Sequence, residues 1–222
     1  MHRSLPLSIL ALSVIGVSTA QAQPSITLAR SCYIFGETMG GQTAGFAPNS
    51  TLKIAGGKDW LGTQSIRTDR TGGTNLGLQA PAAPARGSRF AVKRVTLKIS
   101  DPRHRSRRAR KSLSFSNVIA DPGKQANPRA RRTWRFIGIR GTGPLYGHFV
   151  FDGKLVHSHS FGTPKGPCGR LSARAPGIAV PKSKLRAGTW SVQFDRNRQF
   201  VANGPDSLTQ QMALPQRYST GK

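Results

Sequence analysis

Three histidines in the segment 145–161 are spaced for chemistry. Asp152-Gly153 lies between two alternating apolar runs, which predicts a two-residue hairpin turn. With that turn, His148 faces His157 and Tyr146 faces His159. His148, His157 and His159 then share one face, with opposed Cβ atoms about 5 Å apart. Three imidazoles so placed suit zinc, with a fourth position left for an activated water. A metal-dependent hydrolase is the activity that follows. The only carboxylate nearby in sequence is Asp152, and Val150, Leu155 and Phe161 fall on the same face. The same side of the hairpin therefore also reads as core, and a slip of one residue would part the histidines.

The second group is cationic. Between Arg86 and Arg140 there are 17 Lys or Arg and only two acids, Asp101 and Asp121. Arg103, Arg105, Arg107, Arg108, Arg110 and Lys111 form the densest piece, expected at a hairpin tip with splayed cations. Arg129, Arg131 and Arg132 form a second knot beside Arg135. Arg outnumbers Lys 23 to 11, which favours forked pairing with phosphate or carboxylate. Clustered cations gain by meeting a polyanion, and the gain falls as salt rises. A solvated basic surface is the plainer reading of the same residues. No aromatic side chain interleaves with the arginine run, so it lacks a stacking platform and does not read as a dedicated nucleic-acid binder.

Cys32 and Cys168 are the only cysteines. In an oxidising compartment an even count favours pairing. Two buried thiols or an intermolecular bond are the alternatives. No C-x-x-C, H-E-x-x-H, G-x-S-x-G or phosphate-binding glycine motif occurs, and nothing calls for a cofactor. Trp60, in a Gly-rich loop, reads as either an exposed binding aromatic or an edge filler. Asn49-Ser50-Thr51 is a formal glycosylation sequon that also reads as a turn into a strand.

The elements that must carry these residues are strands. The chain has 222 residues, 25 Gly and 15 Pro, and no sustained helical period. Short alternating runs separated by turn residues recur, which is the all-β pattern. Strands are expected near 25–30, 42–46, 51–55, 63–68, 75–79, 89–99 and 111–118. A phase change between Val92 and Val95 suggests a bulge. Further strands are expected near 132–139, 145–151, 154–161, 168–173 and 189–194. Alternation puts Trp134 with Phe136, and Trp190 with Val192 and Phe194. The fold expected is two immunoglobulin-like β-sandwiches, at 24–116 and 117–200, followed by a flexible tail at 201–222.

The first half carries Ser31-Cys32-Tyr33, Gly45-Phe46-Ala47-Pro48-Asn49-Ser50-Thr51, Thr68-Asp69 and Leu78-Gln79-Ala80-Pro81. These segments resemble the Ig-like domains of exported actinobacterial proteins. The second half resembles the domain that often follows them, in Trp134-Arg135-Phe136, Leu145-Tyr146-Gly147-His148-Phe149, Phe161-Gly162, Gly166-Pro167-Cys168-Gly169 and Gly188-Thr189-Trp190-Ser191-Val192-Gln193-Phe194-Asp195. The resemblance implies fold and export and names no activity.

Residues 1–22 read as a secretory signal: Arg3, an apolar run from Leu5 to Val17, and Ala20-Gln21-Ala22 as the cleavage site. The run is short for a membrane span. The formal net charge is +26, with eight acids in the whole chain. Most acid–base and metal chemistry needs carboxylates, so composition weighs against an enzyme. The expectation is a secreted or cell-surface binding or structural protein held by anionic envelope polymers or lipid headgroups. The three-His hydrolase is the alternative, and a partner-binding subunit using a sheet edge is a third.

Overall fold

A computed structural model describes residues 22–57, 60–83, 92–123, 127–204 and 207–215. The signal expected at 1–22 lies outside them, save its last residue. The described chain is all β apart from one 3₁₀ turn at Lys182–Lys184.

The first sandwich packs two sheets. One joins β1 (Ser25–Leu28), β3 (Thr38–Ala44) and β6 (Thr74–Gln79) in the order β1-β3-β6. The other contains β2 (Cys32–Ile34), β4 (Thr51–Ala55), β5 (Gln64–Arg67), β7 (Val92–Ser100) and β8 (Arg108–Ser116), ordered β2-β8-β7-β4-β5. The first stretch of chain thus serves both sheets, because β1 pairs with β3 while β2 pairs parallel to β8. Alternation sends Met39, Leu52, Ile54, Leu97, Ile99 and Phe115 into one core.

The second sandwich repeats this plan. β9 (Ile119–Asp121), β10 (Arg131–Ile137) and β13 (Leu171–Pro176) form one sheet, ordered β13-β10-β9. The other contains β11 (Leu145–Phe151), β12 (Lys154–Gly162), β14 (Gly188–Asp195) and β15 (Leu208–Leu214), ordered β12-β11-β14-β15. Trp134, Phe136, Phe161 and Phe194 meet in its core, with Trp134 stacked on Phe136 at 5.7 Å and edge-on to Phe194 at 5.3 Å. Strand order β8-β7-β4-β5 in one half matches β15-β14-β11-β12 in the other. Each half is an Ig-like sandwich.

Three strands were not expected: β2, β9 and β15. The tail expected at 201–222 is corrected at Leu208–Leu214, which pairs with β14 along its length. Without it the edge of β14 would be open and Trp190 and Val192 less covered. Gln210 interrupts the alternation of Leu208, Met212 and Leu214, which hides the strand in the sequence. The bulge expected near Val92 is absent. β7 pairs with β8 in unbroken register from Val92↔Ser116 to Ser100↔Arg108, and Val92 lies on the opposite face from Val95.

Candidate functional site

The hairpin at Asp152-Gly153 forms, with both residues at positive φ (50° and 70°), as a tight two-residue turn requires. Its first pairs, Phe151↔Lys154 and Val150↔Leu155, keep the expected register. A bulge then inserts Val156, and the next pairs are Phe149↔His157, His148↔Ser158 and Gly147↔His159. The three-His face is therefore corrected. His148 lies on one face of the sheet, with Ser158. His157 and His159 lie on the other, where His159 packs edge-on to Phe161 at 4.9 Å. Burial, then Lys184, lowers the pKa of His157. Burial, then His157 and Arg131, lowers that of His159. Among the described residues no three His, Cys, Asp or Glu side chains are grouped to hold a metal ion.

His148 has a structural task. It is fully buried, with Nδ1 2.7 Å from Ser158 Oγ. Its Nε2 lies 3.2 Å from Asp195 Oδ1 and 3.0 Å from the Asn197 carbonyl. Two acceptors at Nε2 place the hydrogen there, so Nδ1 accepts from Ser158. Asp195 also accepts from Gln193 Nε2 at 2.7 Å and from Asn197 N–H at 2.8 Å. Gln193 reaches the Val201 carbonyl and Asn203 N–H in turn. The network fastens the 196–203 loop over the sheet, with Phe200 5.5 Å from the His148 ring. Hydroxyl, imidazole and carboxylate stand in series as in an acyl-transfer relay. The hollow beside them, about 370 Å³, is lined by Val150, Gln193, Phe200 and Asn203 and by neither Ser158 nor His148.

The basic cluster is distributed differently from expectation. The turn between β7 and β8 spans residues 101–107 only. Arg103 and Arg105 are exposed on it, and Arg107 is half-buried. Arg108, Arg110 and Lys111 lie on β8 rather than at the tip. Arg108 and Arg110 face outward, opposite Ser100 and Lys98. Lys53 of β4, opposite Ser100, and Arg94 of β7 join the same outer face. Lys111 points to the other side, on a stretch of β8 that β2 does not cover, because β2 pairs only with 114–116. Charge on an uncovered edge also discourages pairing with a foreign strand.

The turn is shaped by Asp101. Its buried carboxylate accepts from Ser50 Oγ at 2.7 Å, from Arg103 N–H at 2.9 Å and from His104 N–H at 3.3 Å, and lies 2.9 Å from His104 Nδ1. Burial raises its pKa, but the hydrogen bonds from Ser50, His104 and the two amides outweigh it and hold the group at about 2. The acid inside the cationic turn is thus spent on backbone geometry.

The second knot divides. Arg131 is exposed and donates to the Arg174 carbonyl at 3.3 Å, and Arg129 is half-buried. Arg132 is removed from the surface set. It alternates inward with Trp134 and Phe136, is 7 % exposed, and donates to the Asn127 carbonyl at 2.6 Å. Burial lowers its pKa. Trp60 packs edge-on to Phe115 at 5.0 Å and donates Nε1–H to the Gln79 carbonyl. It fills the sandwich edge.

Cys32 and Cys168 form a disulfide spanning 136 residues of sequence and linking β2 to the turn before β13. Glu37, the sole glutamate, reinforces the same junction. It accepts from Arg30 at 2.9 Å and from Ile34 N–H at 2.9 Å in the first sandwich, and from Arg140 in the second. Sequence reasoning missed Glu37, Asp101 and Asp195 because their partners are turn amides and distant strands.

No family model matches the chain, and no curated protein matches it. Matches among solved structures are at low identity and low TM-score. The human OSCAR ligand-binding domain is 11 % identical, with a TM-score of 0.33 over 87 % of this chain and 99 % of that one. The CARDB domain of a Pyrococcus furiosus protein, solved with di-metal ions, is 8 % identical, with a TM-score of 0.28 over 43 % of this chain and 92 % of its own. Red sea bream transglutaminase is 12 % identical, with a TM-score of 0.31 over 87 % of this chain and 31 % of its own. No helix among the described residues is long and apolar enough to cross a membrane.

Proposed function

We propose that the chain is an exported, non-enzymatic binding protein whose basic face associates with anionic polymers or lipid headgroups of the cell envelope. One observation carries this reading. The outer face of the five-stranded sheet and its turn present Lys53, Arg94, Lys98, Arg103, Arg105, Arg108 and Arg110, while Asp101 beneath them turns inward. Cations on a rigid sheet face are pre-positioned, so little ordering entropy opposes contact with a polyanion. Separation of the three histidines and the internal use of Asp101, Asp195 and Glu37 support a binding role over a hydrolytic one.

Salt-dependent retention on an anionic resin is the test. The mature protein should bind at low salt and elute at moderate salt. Replacing Arg103, Arg105, Arg108 and Arg110 by Ser should abolish most of the retention. Unchanged retention in that variant refutes a localised basic surface.

A further inference from the structure

Beyond the turn, the same sheet face runs into a groove at the junction of the two sandwiches. Two adjoining hollows of about 670 and 380 Å³ share Arg94, Ser114 and Pro167 in their walls. The floor is the outer face of β7 and β8, with Arg94, Thr96, Ser112 and Ser114. The far wall is the 165–170 turn of the second sandwich, with Lys165 and Arg170. Among the described residues no carboxylate lines either hollow.

The walls are fixed. The turn closes through Lys165 N–H to the Arg170 carbonyl at 2.8 Å and the reciprocal bond at 2.9 Å. Gly169, at φ +56°, lies so close to the Ile139 carbonyl that a Cβ there would sit 1.9 Å from it. The Cys168 carbonyl accepts from Gly138 N–H at 2.7 Å, and its sulfur is bonded to Cys32, next to the groove residue Ser31. Three exposed cations are thereby held around one hollow.

We propose that this groove is the specific site for a phosphodiester-linked polyol polymer, the phosphates taken by Arg94, Arg170 and Lys165 and the polyol oxygens by Thr96, Ser112 and Ser114. The proposal rests on the reading that the basic face meets anionic polymers, and it names the ligand. Guanidinium forks match phosphate oxygens. Hydroxyl side chains both donate and accept, as polyol hydroxyls do. An acidic polypeptide would bring backbone amides needing partners. At Arg94 and Thr96 β7 is paired with β8 alone, since its pairing with β4 covers only Lys98–Ser100, so the preference for a polyol rests on the hydroxyls of the floor, Thr96, Ser112 and Ser114.

Isothermal titration of the disulfide-intact mature chain with a synthetic ten-repeat glycerol phosphate oligomer tests this. Wild type should bind one oligomer saturably. Arg94→Ser with Arg170→Ser should weaken binding at least tenfold, and Arg103→Ser with Arg105→Ser less than threefold. A ten-residue polyglutamate should bind at least tenfold more weakly than the oligomer. Equal binding by the groove variant, or by polyglutamate, overturns the proposal while resin retention leaves the broader reading standing. Loss of resin retention in the wild type overturns both.

Discussion

Asp101→Asn isolates the residue that gives the basic turn its shape. In the wild type the carboxyl titrates at about 2, against 3.8 for the free group. A shift near two pH units corresponds to at most about 2–3 kcal/mol of folding stability. The carboxylate is covered by its own loop, and His104 opposite it is 51 % exposed. Solvent screening therefore discounts the figure to about 1–2 kcal/mol. The folded-state pKa is depressed, so this stability is present above pH 4 and is lost as pH falls from about 4 towards 2. Asparagine keeps one acceptor for the Arg103 and His104 amides but carries no charge. The variant should be less stable by about 1–2 kcal/mol at pH 7 and should converge with wild type near pH 2. Urea unfolding followed by the tryptophan indole N–H signals reads each sandwich separately. Trp60 belongs to the first core, Trp134 and Trp190 to the second. Only the Trp60 transition should move. A gap between variant and wild type that persists at pH 2, or a shift carried by Trp134 and Trp190, would refute the assignment.

Four further outcomes follow from the geometry. His148→Ala strips the partner from Ser158, Asp195 and the Asn197 carbonyl, and should lower second-sandwich stability by about 2–4 kcal/mol, seen as earlier loss of the Trp134 and Trp190 signals with Trp60 unchanged. Equimolar zinc should leave the His148 ring signals unmoved, whereas a 1:1 complex abolished by His148→Ala would contradict the bulged register. Replacing Cys32 and Cys168 by Ser should destabilise the chain by up to about 5 kcal/mol in the loop-entropy model; denaturant midpoints equal to wild type would show that the junction stands without the bond. Ending the chain after Ala202 removes β15 and should release the Trp190 signal from its folded position, and an unperturbed signal would deny β15 its structural role.

The fold class was legible because it depends on alternation, which strands such as Thr51–Ala55 and Leu145–Phe151 display directly. The missing strands failed for local reasons. Cys32–Ile34 is three residues long, too short to show a period, and Gln210 breaks the pattern of Leu208–Leu214. The candidate site was harder to read. The two-residue turn at Asp152-Gly153 was correctly placed, yet one inserted residue, Val156, inverted the relation between His148 and the other histidines. Nothing in the composition of that hairpin marks the bulge. It shows only in three dimensions, where Gly147 leaves room for the Phe161 and Phe194 rings. A Cβ at Gly147 would lie 2.7 Å from Phe161.

The scarcity of acids gains meaning from where they lie. In a chain with 34 cations, uniform scattering of eight acids would leave each next to some Arg or Lys on the surface. Instead Asp101 and Asp195 are 1 % and 4 % exposed and hold turns together. Asp69 caps the turn at Thr71–Gly73 through a carboxyl whose pKa hydrogen bonds from Thr71 and Gly73 lower. Glu37 is spent on the junction. Among the described residues the strands of the five-stranded sheet hold no carboxylate that would neutralise the cations of its outer face. Repulsion among Lys53, Lys98, Arg108 and Arg110 then remains as a small standing cost in the free protein. On the proposed reading a polyanion would relieve that cost on binding, so the charge imbalance would contribute to affinity through the free state as well as through contacts.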